Sequence, residues 1–281
     1  NDITLLFGNS TIETDWINLM GNIHLDAGTS TLILHNNSFQ GNNLTYYNVY
    51  MSPKFPASQV FIRGGNTYNC LSFNKNTSAI FFEANKTQTL NTLIILSSCS
   101  KRVYISSDGN DPAYIKQYAG IASYQYLDIK NIHVLGGATY TATNSINLGN
   151  VKGWSIYPPL PQNYYWIKGS GNWSDPTHWA KSSGGVSDSS CIPTLVDNVF
   201  FDANSFSGGG QTVTIDVPAS CHNMTWTGAT NSPTLTGGNP LFIGGSLTFI
   251  PTMSVNYTNI MEFNASNGGN NITTANKVLN C

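Results

Sequence analysis

Apolar and polar residues alternate in short runs along most of this chain. Examples are ITLLF (3–7), LTYYNVYM (44–51), QVFIR (59–63), AIFFEA (79–84), LIILS (93–97), VYISS (103–107), IHVLG (132–136), VFFDA (199–203), VTIDV (213–217) and SLTFI (246–250). Clusters of Asn, Gly, Ser and Pro separate them. Period-two alternation between such clusters predicts many short β-strands. One stretch departs from the pattern: Pro112 to Ala122, within DPAYIKQYAGIA, predicts a short helix.

The strands recur at a fixed interval. Val49, Leu71 and Leu93 are each 22 residues apart, and so are Met51, Phe73 and Ile95. Thr45, Thr67 and Thr89, and Asn48, Asn69 and Asn91, accompany them at similar offsets. In the second half Met224-Thr225-Trp226 and Leu247-Thr248-Phe249 are 23 residues apart. Self-similarity at this period marks a solenoid. With strands in place of helices, each repeat forms one rung of a parallel β-helix, and inward apolar residues stack in columns. Rungs of about 22 residues are therefore expected, with a smaller β-sandwich-like part as a possible addition. Tandem β-sandwiches are the competing architecture.

Three prolines in the run Tyr157-Pro158-Pro159-Leu160-Pro161-Gln162 cannot continue a central strand. They divide the chain into residues 1–157, a stiff connector 158–162, and residues 163–281.

Composition narrows the function classes. Of the 281 residues only 9% are charged, against roughly 25% in typical soluble proteins, and the net charge is −2. Without a basic surface, nucleic acid is not an expected partner. No apolar run reaches the ~18 residues of a spanning helix, so membrane insertion is not expected. A chain this poor in charge suits an assembly outside the cell better than a freely diffusing enzyme.

Of five cysteines none shows CxxC spacing, and the five histidines (His24, His35, His133, His178, His222) show no ligand spacing, so no metal is expected. Cys191 with Cys221, and Cys70 with Cys99, are each about 30 residues apart. In an oxidising compartment either pair could close a loop worth roughly 3.5 kcal/mol; five free thiols are the alternative. Cys281 is left over, either free or paired outside the chain.

The stretch YYWIKGSGNWSDPTHWAKSSGG (164–185) holds Trp166, Trp173 and Trp179. Exposed, these rings would stack on sugars and make a carbohydrate-binding platform. Buried, they would cap a hydrophobic column beside a Gly/Asn/Asp turn. Catalysis would need paired acids, and the nearest pairs in sequence are Glu13/Asp15, Asp108/Asp111 and Asp197/Asp202. The second and third pairs read as turn and cap chemistry. No nucleophile-elbow phrase is present, and no cofactor motif is found.

This same stretch, with CIPTLVDNVFFDANSF (191–206) and QTVTIDVPASCHNMTWTG (211–228), resembles a module of very long secreted bacterial repeat proteins of the adhesin or fibre type. HLDAGTSTLIL (24–34), LTYYNVYM (44–51), IFFEAN (80–85) and GGATYTATNSINLGNVKGW (136–154) resemble the later part of such a module. The resemblance implies a right-handed parallel β-helix at a cell surface, cut mid-module. It also favours the capping role for the tryptophans.

Together these readings make the chain an all-β structural or adhesive module of an extracellular protein, without catalysis, meeting copies of itself or adjacent repeats end to end. A carbohydrate-binding module for surface glycans, using Trp166 to Trp179, is the alternative. A β-helix enzyme acting on polysaccharide is the third.

Overall fold

The computed structural model describes residues 3–17, 19, 22–188 and 190–280. The chain forms two compact units. Asn1–Ser98 and Arg102–Tyr157 make the first, and Cys99–Lys101 and Pro158–Cys281 the second. Both are built from stacked parallel strands, about 12 solenoid turns in all, with rungs near 22 residues.

In the first unit one sheet has seven strands: Thr11–Thr14, Thr31–Leu34, Thr45–Met51, Thr67–Phe73, Thr87–Ile95, Ala113–Lys116 and Ile132–Leu135. A six-strand sheet runs from Ser38–Gln40 through Ser58–Arg63, Thr77–Phe82, Val103–Ser107 and Leu127–Ile129 to Ile146–Asn147. The chain alternates between the two, so each circuit adds one strand to each. A third sheet of Ile121–Gln125, Thr139–Thr143 and Trp154–Tyr157 joins late.

The columns follow from this register. Leu32 pairs with Val49, Val49 with Leu71, and Leu71 with Leu93, and the first three are among the most buried residues of the core. Met51, Phe73 and Ile95 form the neighbouring column. Strand neighbours lie about 4.8 Å apart, so each apolar side chain touches its counterpart above and below while the strand backbones satisfy one another. The asparagines that share this period lie on the outside. At the bend of these strands Asn69 Nδ2 donates to Asn48 Oδ1 (3.1 Å) and Asn91 Nδ2 donates to Asn69 Oδ1 (3.3 Å). Amide ladders thus bind rung to rung on the outside of these strands, while the columns they flank are apolar.

Two expectations are corrected. Pro112 to Ala122 is not helical: Ala113–Lys116 and Ile121–Gln125 are strands. Ala113 and Ile115 point inward while Tyr114 and Lys116 alternate outward, and both flanking strands supply ladder partners. Tertiary pairing overrides a weak local helix preference here. The β-sandwich-like part and the tandem-sandwich alternative are also replaced, because the second unit is itself a parallel stack.

That unit has three sheets. The largest orders Trp179–Ala180, Asn163–Trp166, Asn198–Phe200, Met224–Thr225, Leu247–Thr248 and Ile272–Thr273. The others are Gly171–Asn172, Thr212–Ile215, Thr234–Gly237 and Ser254–Tyr257, and Ala219–Cys221, Leu241–Ile243 and Met261–Phe263. Met224 pairs with Leu247 and Thr225 with Thr248, as their spacing in sequence requires. Among the described residues only Trp179–Ala180, which pairs antiparallel with Asn163–Trp166, and an Ala180–Ser187 bridge break the parallel pattern.

The cysteine pairing also differs from expectation. Cys99 bonds to Cys191, with 4.7 Å between Cα atoms and a sequence separation of 92. Neither Cys191–Cys221 nor Cys70–Cys99 forms. Cys221 is a buried core residue of the second unit, and Cys70 is a half-buried member of the first, in the outer column of Asn48 and Thr92. Cys99 belongs to the second unit beside Cys191, whose neighbour Ile192 donates its N–H to the Cys99 carbonyl (3.2 Å). Cys281 lies outside the described residues. The bond is consistent with an oxidising, extracytoplasmic compartment, and no helix among the described residues is long and apolar enough to cross a membrane.

Candidate functional site

The tryptophan stretch forms the first turn of the second unit. Asp175 caps a single 3-10 turn, Pro176–His178, by accepting the Thr177 N–H (2.9 Å), and proline occupies the first position, where no N–H is needed. Burial pushes the Asp175 carboxyl up. Thr177's backbone and hydroxyl, helped by His178 and Lys168, outweigh this and hold it below its ordinary value. The chain then reverses, and Trp179–Ala180 lies along the outer edge of Asn163–Trp166, with Trp166 opposite Trp179 and Tyr165 opposite Ala180.

Inside this reversal the three tryptophans pack on one another. Trp166 and Trp173 each meet Trp179 edge to face, at 4.9 and 4.8 Å between centroids. Trp166 Nε1 donates to the Gly169 carbonyl (2.6 Å) and Trp179 Nε1 to the Trp173 carbonyl (3.0 Å). His178 lies flat on Trp166 (4.7 Å) and its Nδ1 bonds the Ile167 carbonyl (2.8 Å). Gly171 is required by this packing, because a Cβ there would lie 2.2 Å from His178 Nε2.

The sugar-platform role of Trp166, Trp173 and Trp179 is therefore corrected. All three are 0% exposed, and a ring with no accessible face cannot stack on a glycan. They close the end of an aromatic column that continues through Phe201, Trp226 and Phe249.

Each of the candidate catalytic acids has a partner within the fold. Glu13 meets His35 (2.7 Å) and Asp15 meets Lys54 (2.6 Å). Asp108 pairs with Arg63 and accepts the Ala84 N–H, and Asp111 accepts from Asn85. Asp202 accepts the Asn204 N–H within its own turn. Asp197 is buried and takes the Gln162 N–H (2.7 Å), the Thr194 N–H (2.8 Å) and the Thr194 hydroxyl (2.7 Å). Burial pushes its carboxyl up against the pull of these donors. Among the described residues no three His, Cys, Asp or Glu side chains are grouped to hold a metal.

A concave surface lies immediately beside the tryptophan cap. Pro161, Gln162, Asn163, Lys181 and Asn198 line a cleft of about 320 Å³. Lys181 follows the reversed strand directly. Its Nζ lies 3.4 Å from the Tyr164 ring centroid and 3.4 Å from Asp188 Oδ2. Asn163 and Asn198 begin a second amide ladder: Asn198 Nδ2 donates to Asn163 Oδ1 (3.0 Å), and Asn223 Nδ2 donates to Asn198 Oδ1 (2.8 Å). Two residues further on, Tyr165 and Phe200 stack on the same outer face at 4.7 Å.

No residue of this cleft was singled out by its chemistry in the sequence. A signal exists nonetheless. The phrases NYYW (163–166), NVFF (198–201) and NMTW (223–226) share an asparagine, an inward apolar residue, an outward residue and an inward aromatic. The unequal intervals between them hide the repeat from a fixed-period comparison. No known family, curated protein or solved structure matches the chain.

Proposed function

We propose that this chain is a structural module of an extracellular surface protein or fibre, meeting copies of itself or adjacent repeats end to end, and that it performs no catalysis. The parallel stack carries this reading. In both units successive rungs pair in register and add like residues to continuous columns, Val49, Leu71 and Leu93 in the first and Phe201, Trp226 and Phe249 in the second. Stability in such a stack is a sum over rungs and their nearest-neighbour interfaces, which suits a long structural element. Head-to-tail contact between copies does not close on itself and builds a linear assembly.

Three further observations support the reading. The Cys99–Cys191 bond suits an oxidising exterior. The low charge permits close contact between copies. The resemblance of its phrases to secreted repeat proteins points the same way. Electron microscopy of the purified chain over a range of concentrations is the test. Rods that lengthen with concentration are expected, and a dispersed monomer at every concentration would sink the proposal.

A further inference from the structure

The second amide ladder has a direction, and one backbone group fixes it. The Ser246 N–H can only donate, and it donates to Asn223 Oδ1 (2.7 Å). Asn223 must therefore offer Nδ2 to Asn198 Oδ1, and Asn198 must offer Nδ2 to Asn163 Oδ1. The oxygen and nitrogen of all three side chains are thus assigned by geometry. The last amide group, Asn163 Nδ2, is necessarily a donor, and it has no partner among the described residues. Aligned hydrogen bonds polarise one another, so this terminal group is a stronger donor than an isolated amide.

Asn163 is exposed and lines the cleft together with Lys181, Asn198 and Gln162. Gln162 Nε2 is turned to the Pro161 carbonyl (2.9 Å), which leaves Gln162 Oε1 as an acceptor. Lys181 Nζ, also in the lining, supplies further donors. Pro161 is the single apolar residue of the lining, so an apolar ligand gains little. Lys181 and Asp188 cancel each other's charge at 3.4 Å, which disfavours an anion. The volume is at the lower end for small-molecule sites and accommodates one ring rather than an extended chain. What remains is an uncharged molecule that both donates and accepts at several adjacent positions.

We propose that this cleft binds a neutral saccharide unit. Its hydroxyls accept from Asn163 Nδ2 and Lys181 Nζ and donate to Gln162 Oε1. This deepens the surface-module reading by giving the module a ligand class, at a place separate from the buried tryptophans. It requires no assembly, so the two readings fail independently.

Saturation-transfer NMR on the whole chain is the test, with millimolar methyl glycosides of glucose, galactose, mannose and N-acetylglucosamine as probes. Transfer to at least one of them is expected. Lys181→Ala should weaken apparent affinity about five- to tenfold, the effect of one lost hydrogen bond. Asn163→Asp is the more telling variant, because its carboxylate still accepts from Asn198 and preserves the ladder while the terminal donor disappears. It should lose affinity to a similar degree with an unchanged melting curve. Absence of transfer with all four glycosides would overturn the proposal. So would transfer undiminished in both variants, or a preference for methyl glucuronoside over methyl glucoside.

Discussion

Trp226 lies flat on Phe201, with 3.9 Å between ring centroids and 13° between planes. The two rings belong to successive rungs, since Trp226 follows Met224–Thr225 and Phe201 follows Asn198–Phe200, strands that pair in register. Rung-to-rung adhesion in the second unit is thus carried by aromatic stacking as well as by the backbone ladder. Trp226→Ala should cost about 3–5 kcal/mol through the cavity it leaves. Urea unfolding followed by near-ultraviolet circular dichroism would measure this; a loss below about 1 kcal/mol would show that the stack contributes little.

Leu71 tests the column of the first unit. It is fully buried between Val49 and Leu93. Leu71→Asp places a carboxylate there with no partner and should cost several kcal/mol. Thr92→Asp, on the exposed outer face of the adjacent strand, should change stability by less than about 0.5 kcal/mol. Thermal melts of the two variants side by side would separate inward from outward positions.

Non-reducing peptide mapping should yield one linked pair containing Cys99 and Cys191 among Cys70, Cys99, Cys191 and Cys221. Replacing both bonded cysteines by serine should lower stability by about 4–5 kcal/mol if chain entropy governs, given the sequence separation of 92. Burial pushes the Cys221 thiol up strongly and that of Cys70 up as well. Both should therefore react slowly with iodoacetamide until the protein unfolds.

His35 ties three rungs together, bonding Glu13 on one side (2.7 Å) and the Ser52 carbonyl on the other (2.9 Å). The Ser52 carbonyl first, and Glu13 second, raise its pKa above the ordinary 6.5. A raised histidine favours the folded state when protonated. Its contribution is complete below about pH 6.5 and is lost as pH rises through the folded value. Hydrogen exchange at the Thr11–Thr14 and Thr31–Leu34 strands should accelerate beyond its intrinsic pH dependence across that window. His35→Gln should abolish the excess.

What the sequence revealed depended on how regularly a feature repeats. Val49, Leu71 and Leu93 were legible because those rungs are equal in length, and equal rungs put like residues at equal intervals. The step from Leu32 to Val49 is shorter and that from Thr87 to Tyr114 longer, because corner loops shrink and grow without disturbing the strands. Ala113–Lys116 read as helix because a four-residue strand offers too little alternation to outweigh a stretch of moderate helix formers. Spacing misassigned the cysteines for a different reason. Closeness in a solenoid is set by which rung and which face a residue occupies, and Cys99 meets Cys191 across a sequence separation of 92 that no local count relates. The tryptophans could be read as cap or platform, and only burial decides between them.

The Cys99–Cys191 bond also determines how the molecule responds to tension. A polypeptide pulled from its two ends passes force from Cys99 to Cys191 through sulfur, and the stretch between them, a sequence separation of 92, stays slack even when everything else has unravelled. At ~3.4 Å per extended residue, roughly 300 Å of contour is withheld until the bond is reduced. Redox conditions would therefore set the extensibility of any strand built from such modules.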